Sequence, residues 1–169
     1  HGEVALRLAE AVDHPFSLAL ACAVVGHLAL CRGALSEAIG VLERSLALGD
    51  ALHLPLIIQL CTAQLGAAYT LSGRVPEALP LLERALEQSV ALRLALAYAL
   101  YATWLGEGYV VAGRVGEARA LGQQALEVAR ARKQQGHQAY ALRLLGELAA
   151  SGEPSHGAEA AEAHYRQAL

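Results

Sequence analysis

The chain has 169 residues, enough for one ordinary domain with a sizeable core. Hydrophobic residues make up 55%, charged residues 17% and aromatics 5%; Ala and Leu dominate while strand-favouring residues are scarce, which excludes all-β and α/β folds and also disorder. A net charge of −3 leaves no basic footprint for nucleic acid.

Residues 1–12 read as the end of a preceding repeat, because Pro15 and Pro55 stand forty residues apart at equivalent places. Repeat 1 follows over 14–53, repeat 2 over 54–93, repeat 3 over 94–133 and an irregular, truncated repeat 4 over 134–169. The period is carried by four columns: Gly26, Gly66, Gly106 and Gly146; Gly33, Gly73 and Gly113; Ala38, Ala78 and Ala118; Leu46, Leu86 and Leu126. In the last repeat Gly152 comes one residue early, and about three residues are expected to be inserted before AEAHYRQAL. The chain opens on His1 rather than Met, so it is expected to be a piece of a longer array.

Each repeat reads as two helices. The first is apolar nearly all round, as in LPLIIQLCTAQLGAAYTLSG (54–73). The glycine at its end suits a left-handed residue, which a Cβ would disfavour. The second helix begins a few residues later, with Glu37, Glu77 and Glu117 in its first turn, where negative charge complements the helix dipole. Leu79, Leu82 and Leu86 then recur at helical spacing opposite Glu83, Arg84 and Glu87, giving an amphipathic helix. Gly66 and Ala78 are predicted to face each other across the hairpin, letting two backbones approach closely. Stacking such hairpins buries a continuous core that one hairpin lacks.

The residues Leu65, Gly66, Tyr69, Gly73, Ala78 and Ala85 resemble the tetratricopeptide repeat (TPR) signature. The same pattern returns at Leu105, Gly106, Tyr109, Gly113, Ala118 and Ala125. The first copy is weaker (Val25, Gly26, Ala29, Gly33, Ala38, Ser45), and the last keeps Leu145 and Gly146 with Ala149 in the aromatic place. The family's usual repeat is about 34 residues, so each helix here should be longer by about one turn. Such long repeats resemble the helical sensor arrays of bacterial signal-transduction ATPases, adenylate cyclases and maltose-regulon-type activators. The resemblance implies an all-α fold of antiparallel helix hairpins in a right-handed superhelical solenoid. HEAT-type repeats share the length but lack the Gly–aromatic–Gly–Ala pattern.

Several signals are absorbed by the repeat. The uncharged runs from His14 to Cys31 and from Ala51 to Gly73 have the length of membrane spans, yet polar residues interrupt the second and both keep repeat register with charged copies. GEGYVVAG (106–113) lacks the third glycine, the Lys-Ser/Thr and the preceding strand of a phosphate loop. No histidine pair has metal-binding spacing, no nucleophile–base pair can be assembled, and no cofactor is implied. Cys22, Cys31 and Cys61 lie in apolar runs, which predicts buried reduced thiols in a cytoplasmic protein.

The TPR resemblance implies that the first helices line the concave, partner-binding face. Its candidate residues are Leu20, His27 and Leu30 in repeat 1; Leu60, Ala67 and Thr70 in repeat 2; Leu100, Thr103 and Glu107 in repeat 3; and Tyr140, Arg143 and Glu147 in repeat 4. That face would be apolar in its first half and charged in its second. Only Arg143 is basic among the twelve and the chain has no Asn, which disfavours the clamp that grips acidic peptide termini. The reading is a non-enzymatic scaffold or sensor segment of a larger bacterial regulator, with the bacterial source suggested by twelve Arg against one Lys. Its partner would be a protein or peptide segment, such as another part of the parent chain or a second copy, and neither nucleic acid nor membrane. The alternative is a small-ligand sensor with a pocket around His27, Thr70, Thr103 and Tyr140.

Overall fold

The computed structural model describes residues 2–12, 14–91, 95–151 and 154–168. Among these the chain forms nine helices and no strand: α1 (Gly2–Ala11), α2 (Pro15–Cys31), α3 (Leu35–Ala51), α4 (Pro55–Leu71), α5 (Val75–Ala91), α6 (Ala95–Val111), α7 (Val115–Ala131), α8 (Gln135–Ala150) and α9 (Pro154–Ala168). The junction expected between residues 93 and 94, the Gly152 turn and Leu169 lie outside the described residues. The chain divides into two compact units, 1–85 and 86–169.

The punctuation is local chemistry. Pro15 and Pro55 occupy first turns, where a missing N–H costs nothing. The imidazole of His14 caps α2 by accepting from the Ser17 N–H at 3.3 Å. Gly33, Gly73 and Gly113 all take positive φ, at 74°, 79° and 76°. At Gly73 the Arg74 N–H reaches back to the Tyr69 carbonyl at 2.8 Å and the Gly73 N–H to Thr70 at 3.1 Å, the paired bonds of a Schellman closure. His53 and Lys133 make the corresponding left-handed turn between hairpins, at 53° and 57°, without the freedom of glycine.

In the first unit α2 packs on α1, on α3 and on α4, and α3 on α4. In the second, α6 packs on α7 and α8, α7 on α8, and α8 on α9. Within each unit a second helix, α3 or α7, therefore bridges its own first helix and the next, and those two first helices touch directly. The burial pattern follows the sequence pattern. Residues 61–70 of α4 are buried without interruption, whereas α3 buries Ala38, Leu42, Ser45 and Gly49 along one stripe and leaves the rest half-buried or exposed.

The glycine column marks the tightest approaches. A Cβ on Gly26 would lie 2.5 Å from Leu42 Cγ. One on Gly66 would lie 2.6 Å from Leu82 Cγ and 3.3 Å from the Ala78 carbonyl oxygen, so Gly66 and Ala78 do face each other. In the fourth hairpin α9 opens at Pro154, thirty-nine residues after Val115, yet it packs in the expected register of about three extra residues: Tyr165 meets Gly146 nineteen residues on, where Leu42 and Leu82 meet Gly26 and Gly66 sixteen on, and the buried Ala161 stands forty-three after Ala118. Ala161 is the buried member of α9's inner stripe, and Tyr165 packs under Gly146.

Candidate partner-binding face

The twelve candidate residues fall into two chemically different sets. In the first unit, Leu20 is 42% exposed, while His27 and Leu60 are half-buried. Leu30 and Ala67 are buried in the packing. Thr70 is also buried and its hydroxyl donates to the Gly66 carbonyl at 3.0 Å. His27 lies one turn before Cys31, with Nε2 3.7 Å from Sγ. Burial pushes the His27 pKa below its ordinary value, which favours the neutral ring. Cys22 and Cys61 are buried free thiols as expected, but Cys31 is exposed, because it ends α2 where the helix leaves the packing.

In the second unit the structure brings three candidates together. Arg143 on α8 pairs with Glu147 one turn on, at 2.5 Å, and with Glu107 on α6. Glu107 is the more enclosed carboxylate, its side chain 16% exposed against 42% for Glu147. Burial raises the Glu107 pKa above the ordinary glutamate value; Arg143 pulls it back down and Glu147 pushes it up. One guanidinium between two carboxylates leaves the cluster one negative charge in excess when both are ionised. Leu100 is half-buried, and Thr103 is fully buried with its hydroxyl donating to the Ala99 carbonyl at 2.8 Å.

Tyr140 opens beside this cluster onto a recess of about 350 Å³ lined by Ala139, Tyr140, Arg143, Tyr165 and Ala168. Tyr140 and Tyr165 are 43% and 38% exposed. Sequence reasoning missed Ala139, Tyr165 and Ala168, because the candidates were taken from one stripe of the first helices: Ala139 lies beside that stripe, and Tyr165 and Ala168 belong to a second helix. The signal that could have found Tyr165 was the need for a bulky residue opposite Gly146, given that Gly26 and Gly66 meet leucines.

The hairpin ends carry a second regularity. The Arg74 guanidinium stacks over the Tyr69 ring at 4.0 Å and Arg114 over Tyr109 at 3.8 Å. Arg74 and Arg114 also pair with Glu77 and Glu117, at 3.1 and 2.5 Å. The Tyr69 hydroxyl donates to Glu43 of the preceding second helix at 2.9 Å. Tyr69 thus ties its hairpin to the one before it.

Among the described residues no group of three or more His, Cys, Asp or Glu could hold a metal ion, and no helix is long and apolar enough to cross a membrane.

Residues 59–130 match the tetratricopeptide repeat family model. The chain is built of TPR-like repeats, as its Leu-Gly, Tyr, Gly and Ala columns predict. Among solved structures it is similar to BtubC (BKLC) from P. vanneervenii, with a TM-score of 0.75 and 20% identity over 99% of this chain and 72% of that one. It is also similar to nearly identical TPR-like repeats assigned to a kinesin light chain of Podosopora anserina. The point variant of those repeats gives a TM-score of 0.68 and 21% identity over 98% of this chain and 86% of that one. Identities this low show the fold alone. No curated protein sequence matches the chain. TPR-like repeats generally serve as scaffolds for protein interaction.

Proposed function

We propose that this chain is a non-enzymatic interaction segment of a larger bacterial, cytoplasmic regulatory protein, and that a partner segment docks along its first-helix face. The observation that carries this reading is the Glu107–Arg143–Glu147 cluster beside the open Tyr140/Tyr165 recess. Charges half-removed from water are costly unless they serve a structural or recognition role, and an aromatic recess beside them offers an anchor pocket. The excess carboxylate suits a basic group on the partner, and the recess suits an apolar side chain next to it. On the first unit, taken by itself, Leu20, Leu60 and the rim of His27 offer a separate apolar contact. The bacterial assignment rests on the Arg-over-Lys bias, and the regulatory one on the resemblance of the long repeats to bacterial sensor arrays.

A displayed peptide library selected against the chain, followed by binding measurements on the variants Tyr140→Ala and Glu147→Arg, tests this. Recovered peptides should pair a basic with an apolar residue, and both variants should weaken them at least tenfold with helicity unchanged. Peptides indifferent to both variants would place recognition elsewhere. The small-ligand alternative would show instead as a melting shift with sugars or nucleotides. For that alternative, Thr70 and Thr103 are poorly disposed, since each hydroxyl is buried and donates within its own helix.

A further inference from the structure

The turn from α7 into α8 carries Arg130, Arg132 and Lys133, all exposed, and Lys133 is the only lysine of the chain. The turn from α3 into α4 has the same backbone. There Leu52, His53 and Leu54 return their N–H groups to the carbonyls of Leu48, Asp50 and Gly49 at 3.0, 3.2 and 2.8 Å. Arg132, Lys133 and Gln134 return theirs to Val128, Arg130 and Ala129 at 3.1, 3.1 and 2.9 Å. Asp50, Leu52 and His53 thus fill the columns of Arg130, Arg132 and Lys133. Closing the turn requires no cation, and an aspartate at the first position shows that the helix end demands none. Asp50, Leu52 and His53 are exposed with helices before and after them in the chain, so exposure belongs to this kind of turn and not to an end of the array.

The three cations are also uncompensated. Elsewhere Arg32, Arg44, Arg74, Arg114, Arg143 and Arg166 each pair with a carboxylate. Among the described residues Arg130, Arg132 and Lys133 stand in no such pair. Arg130 donates to the Gln167 side-chain oxygen at 3.1 Å, which steadies its guanidinium without neutralising it. Residues 128–146 contain no Asp or Glu, and Glu153 follows the far end of α8. On α9, Glu162 is engaged by Arg166.

We propose that the α7–α8 turn docks an acidic protein segment, whose carboxylates meet Arg130, Arg132 and Lys133. Three like charges held on one turn repel one another, and a carboxylate-bearing segment relieves this while making charge-assisted hydrogen bonds. The arginines offer planar forks and Lys133 a mobile point charge, so the site tolerates some variation in carboxylate spacing. Three cations neutralise too few phosphates to hold nucleic acid, and the net charge of −3 opposes it. Exposed charge pairs contribute little affinity each, so the contact is weak and acts by selecting and steering the partner. It shares no residue with the Tyr140 recess.

Titration of the 169-residue chain with a peptide of alternating Glu and Ser, followed by amide NMR shifts, tests this. Shifts should concentrate at residues 130–136, and the peptide with Gln in place of Glu should cause none. The double variant Arg132→Glu, Lys133→Glu should weaken the Glu peptide about tenfold. Its circular dichroism should not change, because the matching turn closes with Leu52 and His53. The double variant Arg7→Glu, Arg84→Glu makes the same change in net charge at two other exposed arginines and should alter binding by no more than about twofold. Equal weakening by the two double variants, or shifts spread over cations elsewhere, overturns the proposal. So does tighter binding to a single-stranded DNA oligomer or to phosphatidylserine vesicles than to the Glu peptide.

Discussion

Gly66 and Gly106 occupy the same column and are buried by different means. Beside Gly66 the space is taken by Leu82, from the second helix of its own hairpin, with the Ala78 carbonyl oxygen close behind. Beside Gly106 the nearest atom is a terminal methyl of Leu144, from the first helix of the following hairpin, and the Ala118 carbonyl oxygen stands back at 3.5 Å. The cause lies in the sequence: Gly122 stands where Leu42 and Leu82 stand in the earlier copies, so α7 offers the crossing only the Cβ of Leu121, at 3.8 Å. One repeat column therefore locks hairpins internally at Gly26, Gly66 and Gly146 and couples two hairpins at Gly106.

The largest effect should come from Gly66→Ala. The new methyl meets Leu82 at its branch carbon and a backbone oxygen, and neither can yield by rotating a chain end. Overpacking of this kind costs about 1–3 kcal/mol, partly offset by about 0.5–1 kcal/mol of better helix propensity. A net loss of about 2 kcal/mol is expected from urea unfolding. Gly106→Ala meets only a methyl that a rotamer change of Leu144 removes, so its net effect should stay within about 1 kcal/mol. Equal losses at the two sites would break the comparison.

The charge cluster should give the next effect. Arg143→Met strands Glu107, whose side chain is largely enclosed, while Arg143 itself is 43% exposed. Breaking a buried pair costs about 3–5 kcal/mol, and the exposure of Arg143 reduces this to about 1–3 kcal/mol. The pH dependence carries a definite sign. Burial already lifts the folded-state pKa of Glu107 above the ordinary 4.5, so the folded chain keeps that proton longer than the unfolded chain. Its contribution favours folding most below 4.5 and declines as pH rises through the raised folded value. Removing Arg143 lifts that value further, so the variant should lose stability between mildly acidic and neutral pH more steeply than the parent. Adding Glu107→Gln should abolish the extra slope, and carboxyl carbon NMR should place the Glu107 midpoint higher in the single variant. A slope unchanged by Arg143→Met would mean that water, not Arg143, solvates Glu107.

These contrasts also mark how far the sequence could be read. Hairpins, left-handed glycines and amphipathic second helices were legible because each rests on local spacing: Gly33, Gly73 and Gly113 sit where the helix pattern stops. The Gly66–Ala78 approach was legible because small residues recur together. What fills each gap was not, since it depends on a residue in another helix, as Leu144 against Gly106 shows. In the candidate face, the charged character of Glu107, Arg143 and Glu147 was legible from their shared repeat positions, and their mutual pairing was not. Leu30, Thr70 and Thr103 were placed on the open face by column alone; neighbouring helices bury them. Tyr165 escaped notice because the candidate face was drawn from first helices alone, whereas Tyr165 stands on a second helix, in the column of Leu42 and Leu82 once the three extra residues are counted.

The smallest effect concerns Ser45, the departure that makes the first copy of the pattern weak. Ala85 and Ala125 fill the same position in the later copies, and all three sites are fully buried. Ser45 has partners there: its hydroxyl donates to the Ala19 carbonyl at 2.6 Å and accepts the Cys61 thiol at 3.1 Å. Burial pushes the Cys61 thiol pKa up, so the sulfur keeps the proton it donates. One hydroxyl thus joins α2, α3 and α4. Ser45→Ala restores the repeat pattern but removes both bonds, leaving the Ala19 carbonyl its place in the α2 ladder and a thiol that is only a weak donor. The loss should be about 0.5–1 kcal/mol, and in a double-mutant cycle most of it should survive Cys61→Ala, because the bond to Ala19 is the stronger one. A gain in stability on Ser45→Ala would show that the hydroxyl costs more to bury than its two bonds return, and that the alanine of the later copies is the better solution for this crossing.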